Sequence, residues 1–302
     1  MRQSLPKTLL NILLTTFFFL PNQIFAQNAA LKSKIEALTK QVDGISGIAI
    51  KDLQIKETTI VNGDHKFPML STFKFPIAMA ILDQVDKGKM SLAQKYHLTK
   101  EDVQLKTYSP LRDKYPDGDV DLTVADLLAS MVSLSDNIAC DILFRLVGGT
   151  KPVNDYVHNL GVKDIAIVAN EEEMGKDWNV QYTNWCKPAA MLQLLDIYHK
   201  GKNLSKSSHD FLSKIMIDGP TGMNRIKGQL PKSAVVAHKT GTSSTNNTGV
   251  TAAVNDVGIV QMPNGKSIAI VMFISNSTAD MKATELVMAQ ISKAAYDHYA
   301  AK

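Results

Sequence analysis

The chain has 302 residues and a formal net charge of +4; 45% of its residues are hydrophobic and 21% charged. That much apolar material argues for a globular protein with a sizeable core. The charge is too small to imply a nucleic-acid partner.

The chain opens with Arg2 and Lys7, then a nearly all-apolar run from Leu9 to Leu20, then Ile24-Phe25-Ala26 ahead of Gln27. This reads as a secretory signal peptide, residues 1–26, cut after Ala26. The run is short for a membrane span, and Pro21, Asn22 and Gln23 follow it. Cleavage would leave a periplasmic protein of charge +2, since Arg2 and Lys7 go with the leader. No cysteine follows the cut to carry a lipid, so no membrane anchor is expected. Cys140 and Cys186 are the two cysteines. They could pair after export, but Cys140 sits on an apolar helical pattern and the two read better as separate buried thiols.

Leu31, Ile35, Leu38 and Val42 recur at helical spacing over Ala30–Val42, and Gly44 follows as a stop. Residues 45–51 and 57–62 read as strands, with a turn at Asn62-Gly63-Asp64. From Phe73 to about Met216 helices dominate. Residues 74–87, 122–131, 136–146, 152–160, 187–200 and 208–217 all carry helical patterns. Asp121 and Thr123 are candidate caps, and Gly148-Gly149 is a helix end. After Gly219 strand character returns at 234–238, 249–262 and 266–275, with a hairpin signal at Pro263-Asn264-Gly265. Residues 281–299 form a closing helix. The economical arrangement is one antiparallel sheet built from both ends of the chain. An α/β lobe would then comprise 27–70 together with 218–302, and an all-α lobe 71–217. A cleft between lobes is a usual place for a site.

Ser71-Thr72-Phe73-Lys74 falls where strand gives way to helix. A serine hydroxyl needs a neighbour to take its proton before it can attack. Residues i and i+3 share a helix face, so Ser71 and Lys74 can share a hydrogen bond. A helix N-terminus also favours developing negative charge. Two further motifs follow in order, Ser135-Asp136-Asn137 and Lys239-Thr240-Gly241. Ser-x-x-Lys, Ser-Asp-Asn and Lys-Thr-Gly together are the signature of class A β-lactamases and penicillin-binding proteins.

The whole mature chain resembles the class A serine β-lactamases in its order of elements. Tyr108-Ser109-Pro110, Asn170-Glu171 and His238-Lys239-Thr240-Gly241-Thr242 support the likeness. Val168-Ala169-Asn170-Glu171, Gln181-Tyr182-x-Asn184-Trp185 and the stretch from Gly228 to Gly241 make it most similar to the PER and VEB extended-spectrum group. The resemblance implies an α/β (α+β) fold of the β-lactamase and penicillin-binding transpeptidase kind, with a five-stranded antiparallel sheet flanked by helices and an all-α lobe. It implies Ser71 as nucleophile, Lys74 holding its proton, and Ser135 beside Lys239 delivering a proton to the lactam nitrogen. It implies Glu171 as the base that activates water. The backbone N–H groups of Ser71 and Thr242 would form the oxyanion hole. Asn137, Thr240, Thr242, Arg225, Tyr108 and Ser243 would bind substrate. The expected partners are β-lactam antibiotics, penicillins and cephalosporins, with a monomeric enzyme and no cofactor or metal.

The chain departs from the family at one loop. Where Glu-Pro-x-x-Asn is usual it reads Glu171-Glu172-Glu173-Met174-Gly175, and Asn184 stands where many relatives carry an Asp. The related group is associated with a wider loop, which implies room for bulky oxyimino-cephalosporins. Taken alone, Ser135-Asp136-Asn137 could merely cap the next helix, and Glu172 and Glu173 read as a solvated acidic face. None of the seven histidines makes a metal-binding pattern, and His238 reads as structural. A D,D-peptidase would share Ser71 and Lys74 but lack the deacylating glutamate. A β-lactam sensor would acylate and stay acylated.

Overall fold

The computed structural model describes residues 19–301, with side chains from Asn28 onward. Most of the expected leader, and the side chains around its cut, lie outside the described residues. Helix α1 (Phe19–Thr39) leads into β1 (Ile45–Asp52) and β2 (Thr58–Val61). A two-residue strand, β3 (Phe67–Pro68), and a 3-10 turn at Leu70–Phe73 precede α2 (Lys74–Asp86). Next come β4 (Lys95–Leu98), α3 (Lys100–Val103), α4 (Pro110–Lys114), β5 (Val120–Thr123), α5 (Val124–Ser133), α6 (Asn137–Val147) and α7 (Thr150–Asn159). Then follow β6 (Ile165–Ala166), α8 (Glu171–Met174), a second 3-10 stretch (Trp178–Thr183), β7 (Trp185–Cys186), α9 (Pro188–His199) and α10 (Lys206–Ile217). The chain closes with β8 (Val235–Thr242), β9 (Thr251–Gln261), β10 (Ser267–Ser277) and α11 (Met281–Ala300).

The main sheet has the order β2-β1-β10-β9-β8, every neighbouring pair antiparallel, so it is assembled from both ends of the chain as expected. Alternation along its strands sorts two cores. Ile48, Ile50, Ile268, Ile270, Met272 and Ile274 face one core, shared with Leu31 and Ile35 of α1 and Met288 and Ile291 of α11. Ala49, Ala269, Val271 and Phe273 face the other, which runs on into the helical lobe. With both faces covered, β9 and β10 read as nearly continuous buried runs.

Two findings differ from the sequence reading. Residues 71–217 are not wholly α-helical: β4 pairs with β5, and β6, β7 and β3 form a small sheet of order β3-β7-β6. Strands of two to four residues are too short to show a period. Moreover, the sheet does not stop at His238. Lys239, Thr240, Gly241 and Thr242 continue β8 in register with Val257, Asp256, Asn255 and Val254. Pairing along β9 holds this polar stretch extended where local sequence alone suggests a strand end.

The caps follow the sequence closely. Thr123 closes a capping box with Asp126. Gly148, at φ 90°, ends α6 in the left-handed conformation that glycine adopts without strain. Cys140 and Cys186 are both buried free thiols, and burial pushes both thiols up.

α2 is buried on every side from Lys74 to Asp83. A helix wrapped in apolar neighbours belongs in the centre of a lobe, so Lys74 is carried into the interior with an exposure of 0%.

Candidate active site

Ser71 lies in the 3-10 turn just ahead of α2, so its peptide is near a helix N-terminus. The residue before it, Leu70, has φ 46°, a left-handed conformation unfavourable for a leucine. Lys74 Nζ stands 3.2 Å from Ser71 Oγ, 2.8 Å from the Ser135 carbonyl oxygen and 2.5 Å from Asn137 Oδ1. Glu171 Oε1 is also 2.8 Å from the same nitrogen. An ammonium has three protons for these four oxygens. The first three receive directed hydrogen bonds, and Glu171 Oε1 is left an ionic neighbour without a directed donor.

Ser135 and Asn137 reach Lys74 because of a strained turn. Ser135 has φ 61°. Its neighbour Asp136 is wholly buried; it accepts the Ala139 N–H at 2.9 Å as the N-cap of α6, and bonds Ser109 Oγ and Leu111 N as well. The cap and the site therefore divide one motif: Asp136 anchors the helix, while Ser135 and Asn137 face Lys74. Asn137 Nδ2 donates to Thr107 Oγ1 at 2.7 Å, which sets its amide so that the oxygen faces the lysine. Tyr108 contributes its carbonyl, which accepts the Asn137 N–H, while its side chain is exposed.

The opposite wall is β8. Lys239 Nζ donates to Ser135 Oγ at 2.9 Å and to its neighbour's carbonyl, Thr240 O, at 3.0 Å. Burial first, then the nearby Lys74 charge, pushes the Lys239 ammonium well below the ordinary lysine range. Gly241 lies against the serine turn: a Cβ there would come within 2.5 Å of Met69 O and 3.1 Å of Ser71 N. Only glycine allows that approach. β8 is an edge strand. Ser243 N bonds Ala253 O, so by the alternation of an antiparallel pair the Thr242 N–H points off the edge. Two backbone donors, of Ser71 and Thr242, thus flank Gly241.

Arg225 is buried behind this strand. It donates to Glu285 Oε1 (3.0 Å), Asn255 O (2.9 Å), Gly241 O (3.3 Å) and Thr242 Oγ1 (2.8 Å). Its charge reaches the site through the exposed Thr242 hydroxyl. Thr240 Oγ1 donates to Thr221 Oγ1 at 3.0 Å. Ser243 is drawn away from the others, because its hydroxyl donates to Ser244 O and accepts from Ala253 N within its own hairpin.

Glu171 begins α8, a single turn. Asn170 caps it, in a reciprocal box with Glu173. Asp141 on α6 accepts the Glu171 and Glu172 N–H groups at 2.8 and 2.9 Å, one on each carboxylate oxygen. Burial pushes the Asp141 carboxyl up to about 6, against the lowering effect of those two N–H groups. Asn184 closes the loop: Oδ1 accepts from Val168 N and Ala169 N, Nδ2 donates to Ala169 O, and its carbonyl accepts from Met69 N beside the Ser71 turn.

The structure thus brings together Ser71, Lys74, Ser135, Asn137, Glu171, Lys239 and Thr242, with Arg225 and Thr240 one shell behind. Sequence reasoning missed Asp141, Glu285, Thr221 and Thr107. Asp141 had a visible signal: it is a charge within the otherwise apolar run Ile138 to Phe144, and a charge there needs partners. The others are ordinary polar residues at loop or helix starts.

The chain is similar to known proteins along nearly its whole length. A model of the β-lactamase enzyme family matches residues 30–299. β-Lactamase VEB-1 of Pseudomonas aeruginosa is 45% identical, over 97% of this chain and 98% of that protein. Extended-spectrum β-lactamase PER-1 of the same organism is 38% identical, over 90% of this chain and 88% of that protein. Among solved structures, a β-lactamase from Chitinophaga pinensis superimposes with a TM-score of 0.87 at 50% identity, covering 90% of this chain and all of that one. The TLA-1 extended-spectrum β-lactamase superimposes with a TM-score of 0.88 at 47% identity, covering 90% of this chain and 99% of that one.

Proposed function

The chain belongs to the β-lactamase enzyme family, and from that premise we infer how its residues divide the work. It is a class A serine β-lactamase that hydrolyses the β-lactam amide, extended-spectrum cephalosporins included, and so confers resistance. We propose that Ser71 Oγ attacks the lactam carbonyl carbon. The hydroxyl proton passes to the Lys74 and Glu171 pair as the O–C bond forms. The developing oxyanion accepts from the Ser71 and Thr242 N–H groups. When the C–N bond breaks, the ring nitrogen takes the Ser135 proton; Lys239, 2.9 Å from that hydroxyl, resupplies it, and the proton taken up by the Lys74 and Glu171 pair makes good that loss, so Glu171 is a carboxylate again. The substrate carboxylate is held by the Thr242 hydroxyl, with Thr240 and the Arg225 and Lys239 charges behind it. Asn137 meets the side-chain amide, and Tyr108 borders the entrance.

Turnover then requires water to attack the ester, with Glu171 taking its proton and Ser71 leaving as the alcohol. The observation that carries this reading is the Glu171 carboxylate 2.8 Å from Lys74 Nζ, which is itself 3.2 Å from the nucleophile. A peptidase or sensor needs no carboxylate there. The lobes, 27–70 with 218–302 and 71–217, meet at this cleft. The enzyme acts as an exported, periplasmic monomer after removal of residues 1–26.

The test follows absorbance and intact mass together during incubation with excess cephalosporin. Continuous loss of the lactam with little steady-state adduct is expected, and Ser71→Ala should abolish both hydrolysis and adduct. A stable stoichiometric adduct on the native protein would overturn the hydrolase reading.

A further inference from the structure

Behind β8 lies a second buried acid, one that takes no part in the reaction. Asp256 of β9 is fully buried. It sits on the α11 side of the sheet, beside Val254 and Val260 of the core on that face. His238 is its diagonal neighbour on β8, since Thr240 pairs with Asp256 and His238 with Gly258. His238 Nδ1 lies 2.9 and 3.0 Å from the two Asp256 oxygens. A Cβ at Gly258 would fall 2.6 Å from His238 Cβ, so the glycine makes room for the histidine. His238 Nε2 is buried with no protein partner. A proton there would bury an unmet donor, so the imidazole carries its proton on Nδ1 and gives it to Asp256.

The remaining donor to Asp256 is the Ile226 N–H, at 3.1 Å. The Ile226 carbonyl in turn accepts from Ser292 Oγ of α11 at 2.9 Å. The backbone of Ile226 is therefore held through both its N–H and its carbonyl, and the residue before it is Arg225. The Arg225 guanidinium is bonded to Asn255 O, the residue next to Asp256 on β9. One strand thus holds both the side chain and the backbone of the arginine segment. Lys239 and Lys227 are the other charges acting on the acid. Without the Nδ1–H, a buried carboxylate would turn toward these cations and release the Ile226 N–H.

We propose that His238, acting through Asp256, is a positioning residue for the carboxylate-binding end of the site: the pair fixes the Ile226 peptide and so aims Arg225 at the Thr242 hydroxyl. The inference rests on Arg225 and Thr242 as the anchor for the substrate carboxylate. It predicts an effect on one end of the substrate alone.

Two aryl boronic acids that add to Ser71 supply the test, phenylboronic acid and 3-carboxyphenylboronic acid. His238→Ala should weaken the carboxylated compound about tenfold, the loss of roughly one hydrogen bond to a charged group. Phenylboronic acid should bind within about twofold of wild type, within the range of a surface change. For a cephalosporin, KM should rise by a similar factor while kcat changes less. His238→Asn, whose Nδ2–H replaces the Nδ1–H, should restore the discrimination. Should His238→Ala fail to fold, Asp256→Asn is expected to give the same signature. Equal weakening of both boronic acids, or of neither, overturns the proposal. Arg225→Ala is the control: if it does not separate the two compounds, the anchor reading falls and takes this inference with it. If it does and His238→Ala does not, only the inference falls.

Discussion

The two walls facing Ser71 are built by different means. On one side is β8, whose residues are placed by a backbone ladder with β9 along eight register pairs. On the other is the segment from Val168 to Asn184, where Glu171, the proposed base, starts a single helical turn. That turn is held by side chains: Asp141 takes two N–H groups, Asn184 ties Val168 and Ala169, and Asn170 caps it. A ladder spreads position over many bonds, so no single side chain decides it. A pinned loop concentrates position in two or three residues. The proposed nucleophile, its lysine and the proton donor Ser135 sit at the turns and starts of α2 and α6, facing β8, whereas Glu171, which shares the acylation proton with Lys74 and is the proposed base for deacylation, sits on the loop. Changes that loosen the loop should therefore slow deacylation more than acylation.

The largest effect is expected from Glu171→Gln, which should lower turnover by about a thousandfold, within the range for a general base, and leave an adduct visible by intact mass. Unchanged turnover would remove Glu171 as the base. Asp141→Asn should come next. An amide offers one acceptor oxygen where two N–H groups need one each, and an unmet buried donor costs about 1–3 kcal/mol. Deacylation should slow by about ten- to a hundredfold, with a burst of product in rapid mixing. A matching fall in the acylation rate would erase the contrast between the walls.

The same residue gives a pH dependence with a definite sign. Asp141 is raised to about 6 from an ordinary 3.8, so the folded state holds its proton more tightly than the unfolded chain does. Its contribution to stability is full below about pH 4 and declines as the pH climbs to about 6. The Tm of the native protein relative to Asp141→Asn should drop across that window and be level above it. Asn184→Ala, which removes three bonds to the backbone at once, should lower Tm by several degrees, about 2–4 °C for each kcal/mol in a chain of this size, and slow deacylation by about tenfold. The smallest effect belongs to the ladder wall. Thr242→Val keeps the N–H and removes only the hydroxyl, so kcat should hold while KM for a carboxylated substrate rises about fivefold, roughly one net hydrogen bond.

The contrast also explains what could be read from the sequence. Ser71, Lys74, Ser135 and Lys239 were legible because each stands in a short motif at the start of an element or along a strand. The sheet was legible from both chain ends, as were the caps at Thr123 and Gly148. Glu171 was reached through resemblance, because three consecutive glutamates carry no local signal of which one faces inward. Asp141 looked like one polar residue in an apolar helix; only folding brings it to two N–H groups thirty positions away. Arg225 was expected at the substrate, yet it stands behind Thr242, and Ser243 was expected there but bonds its own hairpin. Such distinctions depend on which face of an edge strand a side chain takes, and a polar stretch has no apolar stripe to reveal it.

Ser135, at φ 61°, holds a backbone shape that glycine would occupy at ease. Residues kept in such regions cost on the order of 1–3 kcal/mol. A change to glycine there would relieve the chain and remove the hydroxyl proposed to serve the departing nitrogen. The serine is therefore a cost to the fold, carried in its backbone for the sake of one hydroxyl group.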